Sequence, residues 1–113
     1  MKILALYKPD PDNNAPASPE KMAKMNAFID ELTKAGKLIA TDGRKANAKE
    51  MKIRMRKGKL SVTVGPFTEA KEIIGGFALM QVDSREELIE LTRRFLEIAG
   101  DGESQIVEMY GGG

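Results

Sequence analysis

From residue 1 the chain opens on an apolar run, Ile3, Leu4, Ala5, Leu6 and Tyr7. Successive side chains of a strand point to opposite faces, so a run without alternation predicts a strand covered on both sides and set centrally in a sheet. Lys8 to Ala17 then carries Pro9, Pro11 and Pro16 with Asp10, Asp12, Asn13 and Asn14. These residues fix φ, remove donors or bond their own backbone, and together they predict a loop. Ser18, Pro19 and Glu20 form a helix start, and Met22, Met25, Ile29, Leu32 and Ala35 recur at helical spacing, with Phe28 widening the apolar stripe. Gly36 supplies the stop, so a first helix is expected from about Pro19 to Ala35, followed by a short strand from Leu38 to Thr41.

From Met51 the period falls to two. Met51, Ile53 and Met55 share one face and Lys52, Arg54 and Arg56 the other, and Leu60, Val62 and Val64 repeat the pattern beyond a Lys57-Gly58 turn signal. An antiparallel hairpin is expected, ended at Gly65-Pro66. Ile73 to Val82 reads as a further strand in which Gly75 and Gly76, lacking Cβ atoms, mark a bulge or a close backbone approach. Ser84 with Glu87 three residues on is a capping box, Leu88, Leu91, Phe95 and Ile98 give the second helix its apolar face, and Gly100 ends it. A last strand is expected over Gln105 to Tyr110.

With the hairpin set aside the order is βαββαβ, the ferredoxin-like α+β arrangement in which two helices cover one face of an antiparallel sheet. The opposite face still carries apolar side chains. A homodimer packing sheet against sheet, of the dimeric α+β-barrel type, is the expected means of covering it.

Composition narrows the function classes. The chain's 113 residues suit a single domain spanning 1–113, and 42% hydrophobic with 31% charged residues suits a folded one. With 18 basic and 17 acidic side chains the net charge is +1, so no global field draws the protein to nucleic acid or an anionic membrane, and neither is an expected partner. The basic hairpin residues Lys49, Lys52, Arg54, Arg56, Lys57 and Lys59 have no interleaved aromatics and read as a solvated edge. There is no cysteine and no histidine, which removes thiolate chemistry and the commonest general base and metal ligand. No metal site and no cofactor are expected. The N-terminal apolar run is far short of a membrane span and no signal-peptide pattern follows it, so a cytoplasmic location is expected.

The stretch from Gly58 through Val64-Gly65-Pro66-Phe67 and Thr68-Glu69-Ala70-Lys71-Glu72, running on to Gly75-Gly76-Phe77 and Val82-Asp83, resembles the signature region of the YCII-related (DGPF) family. The resemblance implies a ferredoxin-like fold, a dimer, and a cleft between sheet and helix in which a His-Asp pair has been suspected of catalysis. Here Val64 stands at the position of the signature's Asp, and the region where related proteins carry their histidine offers Met25 or Asn26. No catalytic residue is therefore assigned.

Two readings follow. The first is a non-catalytic dimeric module that binds a small molecule or a protein. Its ligand cleft is formed by Tyr7 and Asp42 as donor and acceptor near one mouth, the Gly65-Pro66-Phe67 turn as a wall, and Gly75-Gly76 as a close backbone approach. The second is an enzyme acting on a small metabolite by proton transfer or lyase chemistry, with Asp42, Asp83 or Tyr7 replacing the lost groups. The methionines, Met22, Met25, Met51, Met55 and Met80 among them, are expected on inner faces as adaptable filler.

Overall fold

A computed structural model describes residues 1–65 and 73–111. Its elements are β1 (Lys2–Pro9), α1 (Pro19–Lys34), β2 (Leu38–Gly43), β3 (Glu50–Arg56), β4 (Lys59–Gly65), β5 (Gly76–Gln81), α2 (Arg85–Ala99) and β6 (Gly102–Glu108). Four strands form one antiparallel sheet in the order β2-β5-β1-β6, and β3 and β4 form a separate hairpin. With both helices on one face this is the ferredoxin-like βαββαβ arrangement, and the hairpin is inserted between β2 and β5.

Local chemistry fixes the helix ends. The Ser18 hydroxyl accepts from the Lys21 N–H at 3.1 Å at the start of α1. At its end Lys37 N–H reaches Leu32 O at 2.9 Å and Gly36 N–H reaches Thr33 O at 3.1 Å, the paired bonds of a Schellman stop. At α2 the Ser84 hydroxyl accepts from Glu87 N–H at 3.0 Å, whereas the Glu87 carboxylate turns back to Asp83 N–H at 2.8 Å rather than to Ser84 itself. Lys37 joins this cluster, 2.8 Å from Asp83 and 3.1 Å from Glu87.

The core is built on the helix-facing side chains of the sheet. Ile3, Phe28, Leu32, Met80, Val82 and Leu88 form its buried centre, flanked by Ala5, Met25, Leu38, Ala78, Leu91, Phe95 and Ile98. Arg94 ties the helices together: its guanidinium bonds both oxygens of Glu31 at 2.7 and 2.8 Å and lies 4.7 Å from the Phe28 ring centroid. Fewer methionines are interior than the pattern suggests. Met80 is buried, but Met22, Met51 and Met55 are exposed, Met22 because it lies beyond the stripe that α1 presses onto the sheet and the other two because the hairpin packs on no other element among the described residues.

The bounds of several strands and the place of one bulge differ from expectation, and β2 runs on to Gly43 rather than ending at Thr41. β5 begins at Gly76 rather than Ile73, and β6 runs from Gly102 to Glu108 rather than from Gln105 to Tyr110. The bulge lies in β2, where Leu38 pairs with Met80 and Ala40 with Leu79, leaving Ile39 as the extra residue. Gly75-Gly76 instead serves close approach. A Cβ on Gly76 would lie 2.9 Å from the Asp42 carbonyl oxygen of β2. The hairpin turn is as expected: Lys57 and Gly58, at φ of 50° and 78°, give the doubly left-handed pair that a two-residue turn requires.

Two expected outcomes follow from these contacts. Gly76→Ala must push β2 away and should cost about 1–3 kcal/mol in chemical denaturation, whereas Gly43→Ala, whose Cβ would meet nothing nearer than 3.8 Å, should be close to neutral. The Lys37 ammonium holds Asp83 below the ordinary carboxylate range, and the Asp83 N–H first and Lys37 second do the same for Glu87. Lowered carboxylates add stability that is full above the ordinary glutamate value of 4.5 and disappears as pH falls through their folded values. The same pairs raise the Lys37 ammonium above its ordinary 10.5, so their support is lost again at high pH, and Lys37→Met should flatten both the acid and the alkaline side of the stability profile.

Candidate functional site

The helix-facing side chains of the sheet shrink toward one end. Along β5 they run Met80, Ala78, Gly76, and along β2, in register, Leu38, Thr41, Gly43. On β1 the partners of the β5 residues are Ile3, Ala5 and Tyr7. Large side chains hold the helices off the sheet at the Met80 end, but at the other end β5 and β2 offer only Gly76 and Gly43, and Tyr7 of β1 stands to one side as a wall. The result is a cleft of about 490 Å³ between the sheet and the two helices, roofed by Met25, Phe28 and Ile29 of α1 and Leu91 and Phe95 of α2. Its lining is mainly apolar, with Thr41, Thr92 and Ser104 as its aliphatic hydroxyl groups among the described residues.

Tyr7 forms one wall. Its ring meets Phe95 edge to face with centroids 5.1 Å apart. The phenol oxygen lies 3.3 Å from the carbonyl oxygens of both Gly100 and Asp101, sharing one hydrogen between them, and accepts from the Asn13 amide at 3.2 Å. Asn13 also reaches the carbonyls of Ala99 at 3.1 Å and Asp101 at 3.0 Å, and Lys21 donates to Ala99 O at 2.7 Å. These groups satisfy the last carbonyls of α2, where a cation is favoured by the helix dipole. The phenol is thus engaged at the end of α2 rather than directed into the cleft.

Tyr7 and Asp42 both border the cleft, but their polar groups do not converge on it as donor and acceptor. Asp42 lies opposite Phe77, and Phe77 opposite Leu6, so its side chain shares the open face of the sheet while Tyr7 shares the helix face. The bulge at Ile39 is the cause: without it positions 38, 40 and 42 would share one face, and with it Thr41 takes the place facing the cleft. The Asp42 carboxylate is exposed and accepts from its own neighbour, Gly43 N–H, at 2.8 Å. Gly75 and Gly76 do line the cleft. Gly65 does not; it pairs with Glu50 at the root of the hairpin, and Pro66 and Phe67 lie outside the described residues.

The other proposed substitutes fare no better as bases. Asp83 is exposed, paired with Lys37, and precedes α2, away from the cleft lining. Val64 lies on β4 opposite Met51. Burial first, and the charges of Asp10 and Asp101 after it, push the Tyr7 phenol above its ordinary value of 10.0, against a smaller lowering by the Asn13 amide. Among the described residues no group of three or more His, Cys, Asp or Glu side chains is placed to hold a metal ion, and no helix is long and apolar enough to cross a membrane.

Fold and cleft define the class as an α+β protein with a helix-sheet cleft. The YCII-related domain matches residues 1–109, and the chain belongs to that family. Among solved structures it is similar to 5-chloro-2-hydroxyhydroquinone dehydrochlorinase from Burkholderia phenoliruptrix, determined with 2,5-dihydroxybenzoquinone; identity is 16% and the TM-score 0.47, over 99% of this chain and 96% of that one. A search of the curated proteins returns no match.

The sequence reading missed Asn13 and Lys21, whose partners are backbone carbonyls far along the chain; an amide in a proline-rich loop was the only local signal. Tyr7 ionisation tests the latch. A folded-state value above 10.0 means that Tyr7 supports folding below that pH and that its support is lost as pH rises through the folded value. The difference in tyrosinate absorbance between wild type and Tyr7→Phe should titrate above 10.0, and in an Asn13→Ala background it should titrate higher still. A midpoint at or below the ordinary value would contradict the latch.

Proposed function

We propose that the protein is a dimeric small-molecule-binding module whose ligand occupies the helix-sheet cleft without acid-base chemistry. The taper of side chains from Met80 to Gly76 carries this reading, because it leaves a void beside the core that the protein's own side chains do not fill. Its volume of about 490 Å³ falls within the range of roughly 300–1,000 Å³ typical of small-molecule pockets. The lining favours a compact, neutral, largely apolar molecule, aromatic rings of Phe28 and Phe95 offering stacking surface and a few hydroxyls fixing its orientation. Proton transfer needs a tuned group within hydrogen-bond reach. The two titratable residues bordering the cleft among the described residues are Tyr7, whose phenol is held at the end of α2, and Asp42, whose carboxylate lies on the other face of the sheet.

The dimer rests on the open face of the sheet. Leu4 and Leu6 of β1, Phe77 and Leu79 of β5 and Val107 of β6 share that face, and neither helix covers it. Phe77 and Val107 are exposed there and Leu4, Leu6 and Leu79 half-buried, and a second sheet is the simplest cover for such a face.

Ala78 sits at the narrowing of the floor. Ala78→Leu should fill the cleft without adding a charge or removing a hydrogen bond. Neutral aromatic probes, phenol and naphthol among them, should raise the melting temperature of the wild type and lose at least about tenfold in affinity against the variant. Equal binding to both proteins would place the ligand elsewhere. Conversion of a bound metabolite in the fully folded protein, abolished by Asp42→Asn, would favour the enzyme reading instead.

A further inference from the structure

The register of the hairpin gathers six apolar side chains on one face, with Met51 opposite Val64, Ile53 opposite Val62 and Met55 opposite Leu60. All six are bare, between 57% exposed at Val62 and 74% at Val64. The alternate face carries Lys52, Arg54, Arg56 and Lys59 with Ser61 and Thr63. Among the described residues the hairpin packs on no other element. It stands out as an arm: the radius of gyration is 16.0 Å, against about 13 Å for a compact chain of this length.

We infer that a second copy of this chain covers the apolar face of the arm. Three observations favour it. An isolated two-stranded hairpin is marginally stable in water, so an ordered arm of this length needs a second layer, and its own chain supplies none among the described residues. The bare apolar area is on the order of 700 Å² per arm, so a two-fold pair burying both arms removes roughly 1,400 Å², within the span of stable specific interfaces. The arm's root is fixed to the sheet, with Arg44 N–H on Gly75 O at 2.8 Å and the Arg44 guanidinium 3.0 Å from Glu50, so the face is presented in a set direction rather than on a loose tether. A membrane is disfavoured as occupant because the cations lie on the face turned away from any bilayer that the apolar side chains entered. The inference goes beyond the sheet-face contact proposed above and does not require it.

Sedimentation velocity over a micromolar concentration series tests it in three proteins. The wild type should be a dimer. The Ile53→Glu, Val62→Lys double variant places opposite charges across the strands, which spares the hairpin, and should raise the dissociation constant by at least about tenfold. Leu6→Glu probes the sheet face separately. Dissociation by the arm variant alone supports the arm contact and removes the sheet-face contact; dissociation by both supports the two together. An unchanged dimer in the arm variant, with Leu6→Glu dissociated, would sink the arm and leave the sheet contact standing. A wild-type monomer throughout would overturn both. Because the chain has no cysteine, Val62→Cys carrying a polarity-sensitive fluorophore gives an independent reading. Its emission should shift to the blue as concentration rises through the dimerisation range. A shift produced only by phosphatidylserine vesicles would overturn the proposal in favour of a lipid surface.

Discussion

Two rigid helices packed on a twisted sheet cannot follow a change in side-chain size from one end of the sheet to the other. That constraint organises the molecule. At one end Ile3, Met80 and Leu38 meet Phe28, Leu32 and Leu88 and set the separation of the layers. At the other, Ala78, Gly76 and Gly43 leave the same separation unfilled. Packing in a protein interior rewards contact atom by atom, so an unfilled lining forfeits dispersion that a ligand of matching shape restores. The cleft is therefore a product of the same packing that makes the core, displaced along the strands by two and four residues.

The latch at the end of α2 keeps the cleft open on its far side. Tyr7, Asn13 and Lys21 come from β1, the proline-rich loop and α1, and all three converge on the carbonyls that end α2. Their joint effect is to hold Phe95, one turn before that end, against the Tyr7 ring. Tyr7 thus contributes a wall by virtue of being spent elsewhere as a hydrogen-bonding group.

Element order, helix caps and the hairpin turn were legible because each rests on chemistry within a few residues: Ser18 and Ser84 at helix starts, Gly36 at a stop, Lys57-Gly58 between alternating runs. The continuous apolar run of β1 was legible too, although within one chain its second face is half-buried at Leu4 and Leu6. The cleft itself was read only in part. Gly75 and Gly76 were recognised as a close approach, but Asp42 was expected just after a strand ending at Thr41, whereas β2 runs on to Gly43 and the pleat decides which face Asp42 takes. The extra residue at Ile39 reverses every side chain after it, and no residue type near Ile39 announces a bulge. Asn13 was hidden for a different reason, since its acceptors are backbone atoms some ninety positions away in sequence.

The departure from the family signature can be placed on the same physical footing. Val64 stands where the signature has a carboxylate, and it lies not in the cleft lining but on the apolar face of the arm, the most exposed of the six side chains there. A carboxylate at that position would lie opposite Met51 and would have to lose its water, at a cost of several kcal/mol, if the face were covered by an apolar surface. Valine carries no such cost and completes the pairing with Met51. Valine at this position keeps the arm's face uniformly apolar, which is the condition that the proposed covering of the arm by a second copy requires.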